Sequence, residues 1–413
     1  MAQASSSRLA ARVVWVAAVI FLLSAGIAFA SSGGDKPGPR KHAKLAEARA
    51  LGSLDRCART ARAARAARAK RVNPAGVRRR CGRTKAVEAS PTPQPLYWGA
   101  TIGDHVTGEQ APWDMGAVAK LEEETGKSAS MVQFFQPFAE CDPTCDFYEF
   151  PTNPMEDIRA HGSIPVLSWS SQAIPSGLDQ PDFQLGDVIE GRYDEFIREF
   201  AEEARDWGHP FMLRFNWEMN GDWFPWAEGV NGNQPGEYVA AWRHVHDVFA
   251  AAGATNVSWV WCPFVDPAGS LDDLASLYPG DAYVDWTGLD GYNWGTNPAS
   301  PRGWRSFDQL FADSYAEIIE GIAPSKPMMI GEVGSSEQGG DKAEWIRDAL
   351  ARIPLEYPQV RSLLWFDKFD DGMDWPIETS GTATAAFAEG IQQPAYLGAG
   401  YSDLPGGAIL PPS

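Results

Sequence analysis

From Tyr97 onward, short apolar runs alternate with longer amphipathic stretches over about three hundred residues, the pattern of repeated strand–helix units. Eight runs read as strands: YWGATI from Tyr97, SMVQFF from Ser130, IPVLSW from Ile164, FMLRFN from Phe211, VSWVWC from Val257, DWTGLDGY from Asp285, KPMMIGE from Lys326 and RSLLWF from Arg361. Residues 192–207, 236–252, 307–322 and 342–353 carry the clearest helical periodicity. This order predicts an α/β fold, a (β/α)8 TIM barrel over 97–395 with a C-terminal tail at 396–413, rather than an open doubly wound sheet. Neither GxGxxG nor GxxxxGK[ST] occurs, so no nucleotide cofactor is expected, and no other cofactor is implied.

The first ninety-odd residues follow a different pattern. Arg8 and Arg12 precede VVWVAAVIFLLSAGIAFA, which ends Ala28, Phe29, Ala30; residues 1–30 read as a signal peptide cut after Ala30. An uncleaved membrane anchor is the alternative, since 13–30 is about the minimum span of a bilayer. Residues 41–72 are rich in Ala, Leu and Arg, with Arg56, Arg59, Arg62, Arg65 and Arg68 at every third position, which predicts one helix or a helical pair within a basic module over 31–86. SPTPQP, from Ser90 to Pro95, marks a proline-rich linker over 87–96.

Charge sharpens this division. The chain carries −19 overall, yet 31–86 carries +14 and Arg8 with Arg12 add +2, leaving −35 for residues 87–413. An acidic main domain argues against nucleic acid or an anionic membrane as its partner and suits a neutral polysaccharide. The basic module would suit an anionic cell-wall polymer, or serve only as a solvated linker; it has no aromatic residue on which a base could stack, so no nucleic acid is expected. A secreted protein, free of the membrane after cleavage and held at the cell wall, is the expected localisation. Nothing in the sequence fixes the oligomeric state.

The five cysteines fit an oxidising compartment. Cys57 with Cys81 and Cys141 with Cys145 is the pairing by proximity, one of three connectivities, and Cys262 is left as a buried core thiol.

Chemistry in such a barrel sits at the C-terminal strand ends. Those ends gather Trp98 to His105, Gln133 to Gln136, Trp169, then Arg214, Trp217, Glu218, Asn220 and Trp223, then Trp261, Asp290, Tyr292, Trp294, Glu332, Trp365 and Asp367. Indoles suit the C–H faces of sugars. Glu218 and Glu332, at the ends of strands four and seven, can supply the two carboxyls that glycoside hydrolysis needs.

LRFNWEMNGDWFPW, YVDWTGLDGY, MIGEVGSSEQGGDKAEWI and LLWFDK, in this order and spacing, resemble glycoside hydrolase family 26, and the similarity extends over about residues 98–388. The resemblance implies a retaining enzyme with Glu218 as acid/base and Glu332 as nucleophile. It further implies that Tyr292 hydrogen-bonds the nucleophile, Arg214 holds its charge, and Trp365 floors the subsite where the bond breaks. Trp217, Asn220, Trp223, Trp294, Trp169 and His105 complete the candidate substrate-binding set. Family mannanases usually carry His where this chain has Trp217, which loosens the link to mannan. β-1,4-Mannan leads by the family's prevalence, with mixed-linkage β-1,3-1,4-glucan and β-1,3-xylan as alternatives. A non-catalytic carbohydrate-binding barrel and a transglycosylase are the other readings.

Several conspicuous groups have plainer readings. His244 and His246 sit two apart on a helix and face different ways. Asp367, Asp370, Asp371, Gly372 and Asp374 hint at calcium, but Phe369 interrupts the ligand pattern, so an acidic solvated loop is expected and no metal ligands are assigned. Trp226, like Trp223, is expected to act as a sugar platform.

Overall fold

A computed structural model describes residues 92–265, 274–298 and 302–413. The expected signal peptide, the expected basic module with Cys57 and Cys81, and residues 87–91 of the expected linker lie outside the described residues.

All eight expected strands form: β1 (Leu96–Ile102), β2 (Met131–Cys141), β3 (Ile164–Ile174), β4 (Phe211–Phe215), β5 (Val257–Trp261), β6 (Trp286–Asn293), β7 (Met328–Ser335) and β8 (Val360–Asp367). Each pairs in parallel with the next, and β1 closes the ring by pairing with both β8 and β2. Strands buried on both faces read as continuous apolar runs rather than as alternation, which is why β4 and β5 are so plainly legible.

The outer helices follow from their stripes. Helix Asp194–Trp207 buries Ile197, Phe200, Ala201 and Ala204, one face at helical spacing, and ends where Gly208 takes the left-handed conformation. Helices Glu237–Ala252 and Lys342–Glu356 match expectation closely, whereas the segment 307–322 is an α-helix only to Glu317 and closes in a π-turn, Ile318–Ile322. Between β5 and β6 the described residues hold only the short 3-10 turn Leu274–Leu277.

Two features lie outside the simple repeat. Cys141 and Cys145 are disulfide-bonded across the turn of a hairpin in which Cys145–Phe147 pairs antiparallel with the end of β2. Residues 396–413, read from sequence as a tail, instead pack across the N-terminal end of the barrel. Tyr396–Leu397 pairs with the start of β1; Ile409 takes a hydrogen bond from Trp286 Nε1 and donates one to Ser258 Oγ; Leu410 accepts from Tyr97.

Candidate active site

Arg214, on β4, is fully buried and is the hub of the mouth. Its Nη1 donates to Glu332 Oε1 at 2.9 Å and to Ser168 Oγ at 3.1 Å, and its Nη2 donates to Asp290. A register shift between β6 and β7 brings Asp290 opposite Glu332, and Gly331 is the residue that makes it fit. A Cβ there would stand 2.7 Å from Asp290 Oδ1 and 3.1 Å from Arg214 Cζ, closer than side chains pack. Tyr292 O–H donates to the other oxygen of Glu332 at 2.5 Å. Cys262, expected as a plain core thiol, is buried but belongs to this network, donating to Asp290 Oδ1 at 3.2 Å.

Glu218 lies on the turn that follows β4. Both Asn216 and Glu218 are left-handed, at φ 45° and 53°, a conformation that costs on the order of 1–3 kcal/mol for a residue with a side chain. The fold holds them there: Asn216 accepts from Ser171 N–H and donates to Ser171 Oγ, and the Glu218 N–H donates to the Cys262 carbonyl. The turn aims the Glu218 carboxyl inward, where Trp223 Nε1 donates to it at 2.6 Å. The nearest carboxyl oxygens of Glu218, Asp290 and Glu332 all lie within 4.8 Å of one another.

Three buried acids share one guanidinium, so protons must be retained. Desolvation, then repulsion from Asp290 and Glu332, holds the Glu218 carboxyl well above the usual carboxylate range, against smaller downward pulls from Trp223 and Arg214. Desolvation also raises Asp290, to about 8, with Arg214 opposing and Glu332 adding to the rise. Tyr292 stays a neutral donor, because burial and the charge of Glu332 push its hydroxyl well above its ordinary value. The site therefore offers a protonated acid beside a carboxyl that accepts from a cation and a phenol.

The structure brings Arg214, Trp217, Glu218, Trp223, Tyr292 and Glu332 into one mouth, with the half-buried Trp294 at its edge. The Trp217 ring faces the Arg214 guanidinium at 5.7 Å and Phe135 at 5.2 Å. Other expectations need correction. Trp169 is not in the mouth: Ser168, its neighbour, points inward to Arg214, so the pleat turns Trp169 outward, where it stacks on Phe200 at 4.3 Å. Trp365 likewise faces the helices, against Trp345 and Phe387, while Phe366 faces inward to Tyr292. The tryptophan beside Tyr292 is Trp375, ring centroids 4.8 Å apart, ten residues further on and packed against Trp294 as well. Asn220 spends its amide on the backbone of Phe264, donating to its carbonyl and accepting from its N–H, which pins two loops together. Trp226 is fully buried loop core, donating to the Trp217 carbonyl. His105 faces Glu378 and Asp367 rather than either glutamate of the pair, and Asp367 is buried, not part of a solvated loop. Ser168, Phe366 and Trp375 are absent from the strand-end residues read from the sequence, and Asp290 and Phe135, which are among them, are given no role there; the inward parity of β3 and β8 is the available signal for Ser168 and Phe366.

A profile described as Glycosyl hydrolase family 26 matches residues 130–338, just over half of the 413 residues, and the chain belongs to that family. Endoglucanase H of Acetivibrio thermocellus is 38% identical over 235 residues, 56% of this chain and 24% of that protein. Mannan endo-1,4-beta-mannosidase A and B of Caldalkalibacillus mannanilyticus is 31% identical over 187 residues, 43% of this chain and 33% of that protein. The chain thus spans about a quarter and a third of these curated relatives' lengths. Among solved structures, a modular endo-beta-1,4-mannanase from Cellulomonas fimi superposes with a TM-score of 0.56 at 20% identity, covering 77% of this chain and 76% of that one, a likeness of fold.

Proposed function

We propose that the chain is a retaining endo-β-glycanase in which Glu332 is the nucleophile and Glu218 the acid/base. The observation that carries this is the separation of the pair: one carboxyl oxygen of each lies within 4.8 Å of the other, nearer the roughly 5–5.5 Å spacing of retaining glycosidases than the about 6.5–9.5 Å of an inverting pair. The Glu332 carboxylate attacks the anomeric carbon while the Glu218 proton passes to the leaving glycosidic oxygen. Water, deprotonated by Glu218, then cleaves the glycosyl ester and returns Glu332. Arg214 and Tyr292 fix the nucleophile's oxygens, and Trp223 fixes the acid. Proton NMR of the first-formed reducing end tests the mechanism: a β-anomer is expected, and an α-anomer would remove the nucleophile role from Glu332.

For the substrate, β-glucan stands first and β-1,4-mannan second. Trp217 and Phe135 pack ring to ring next to Arg214, the guanidinium that holds Glu332, and are read as an aromatic wall. An all-equatorial glucosyl unit lays a flat C–H face on such a wall, whereas the axial 2-hydroxyl of mannose asks for a polar partner that an indole at this position does not replace. The greater identity to endoglucanase H than to the mannosidase points the same way. Turnover on barley β-glucan, galactomannan, β-1,3-xylan and cellulose, with Glu332→Ala as blank, ranks these substrates. Equal rates for enzyme and blank on every polymer would instead support a carbohydrate-binding barrel. Action outside the cell is part of the proposal, carried by the pattern of residues 1–30; a secreted product whose N-terminus is Ser31 is the expected result.

A further inference from the structure

A second cluster of ionisable side chains lies at the seam where β1 meets β8, and no step of the proposed reaction uses it. His105 comes from the loop after β1, Asp367 is the last residue of β8, and Glu378 sits in the 3-10 turn Ile377–Thr379. One ligand atom from each lies within 4.8 Å of the others. His105 Nε2 is 3.5 Å from Glu378 Oε2 and 3.9 Å from Asp367 Oδ2. These separations are too long for good N–H···O hydrogen bonds, which run to about 3.2 Å. They are close to the edge of a tetrahedron of N and O ligands about 2.0–2.2 Å from a central ion, roughly 3.4 Å.

The cluster also lacks the satisfaction that a buried carboxylate requires. Asp367 is wholly buried; its Oδ1 accepts from the Ile377 N–H, but no N–H or hydroxyl donor reaches its Oδ2, on the His105 side, or the buried Oε1 of Glu378, so the two facing carboxyls need either a proton held between them or a cation. The lysine nearest in charge cannot serve. Lys342 Nζ has three protons to give and already donates to the carbonyls of Asp374, Trp375 and Pro376 and to Thr379 Oγ1. On the outer side, Glu378 also lines an open depression with Glu124.

We propose that His105, Asp367 and Glu378 form a structural site for a divalent transition-metal ion, zinc being the best match, that fastens the β1 loop to the end of β8. One imidazole and two carboxylates suit zinc, whose fourth position a water can fill; calcium asks for six to eight oxygens, more than this cluster supplies. The site stands apart from the catalytic proposal, since none of its ligands contacts Glu218 or Glu332.

The test uses the untagged full-length chain, stripped with a chelator and titrated with zinc alone by calorimetry and thermal melting. One zinc per chain is expected, with a melting temperature raised by roughly 4–8 °C at a hundredfold excess over Kd. His105→Ala and the near-isosteric Glu378→Gln should each weaken zinc binding at least tenfold and abolish the shift, while Glu332→Ala keeps both. Absence of stoichiometric binding, absence of a thermal shift, or loss of the zinc with Glu332→Ala would each overturn the proposal; the last would assign the ion to the acids in the mouth.

Discussion

Glu218, Asp290 and Glu332 on one side and His105, Asp367 and Glu378 on the other are both compact acid clusters at the C-terminal face of one barrel. The first is built around a cation that the chain supplies: Arg214 reaches two of its three carboxyls, and Tyr292, Trp223 and Cys262 each donate to one further carboxyl oxygen. In the second the nearest lysine, Lys342, donates elsewhere, and two of the carboxyl oxygens meet no N–H or hydroxyl donor. A cluster satisfied from within is pre-organised for chemistry, because its charges need no rearrangement when a substrate arrives. A cluster left unsatisfied is organised for something that has yet to bind.

The sharpest way to break this contrast is Glu332→Ala, expected to lower kcat on the first-ranked glycan by about 10^4-fold or more, as removal of a nucleophile does elsewhere; a fall of less than tenfold would take the chemistry away from the first cluster. Next in size is Arg214→Met, which leaves Asp290 and Glu332 buried without their cation. Urea unfolding should show a loss of about 3–5 kcal/mol, and an unchanged midpoint would mean that the guanidinium is not what neutralises the site. Trp223→Phe removes a single hydrogen bond to Glu218 and should reduce kcat/KM about tenfold. Its pH signature has a definite sign. The acid must be protonated, so activity falls as pH rises through the raised Glu218 value; Trp223 lowers that value, and its loss should move the alkaline limb upward. A limb that moved downward would contradict the role of Trp223. The smallest effect is expected from Glu378→Gln without zinc: kcat within twofold of the parent and stability within about 1 kcal/mol, a sharp contrast with Glu332 when measured in the same assay.

Much of this was legible in the sequence. The eight strands were visible because a barrel buries both faces of its sheet, so each strand is a run of apolar residues bounded by turns. Glu218, Glu332, Arg214 and Tyr292 were legible because each sits at or near a strand end within a local pattern. Trp169 and Trp365 were misjudged for one reason: the end of an apolar run says where a strand reaches the mouth, but the direction of a side chain depends on pleat parity, and parity is fixed only once an inward neighbour such as Ser168 or Phe366 is known. At β7 even counting fails, because the register shift around Gly331 resets the parity that would carry Ile330 to Glu332.

The sequence by itself determined the barrel, the order of its strands and the two glutamates at its mouth, because hydrophobic periodicity and local turn chemistry are properties of neighbours along the chain. Only the tertiary structure decided which indoles face the substrate, that Trp375 rather than Trp365 stands beside Tyr292, that residues 396–413 seal the barrel's base, and that His105 meets Asp367 and Glu378. Those contacts join residues far apart in the chain across the seam of a closed sheet. The physical quantity that fixes them, which buried charge finds a partner and which does not, exists only after the ring has closed.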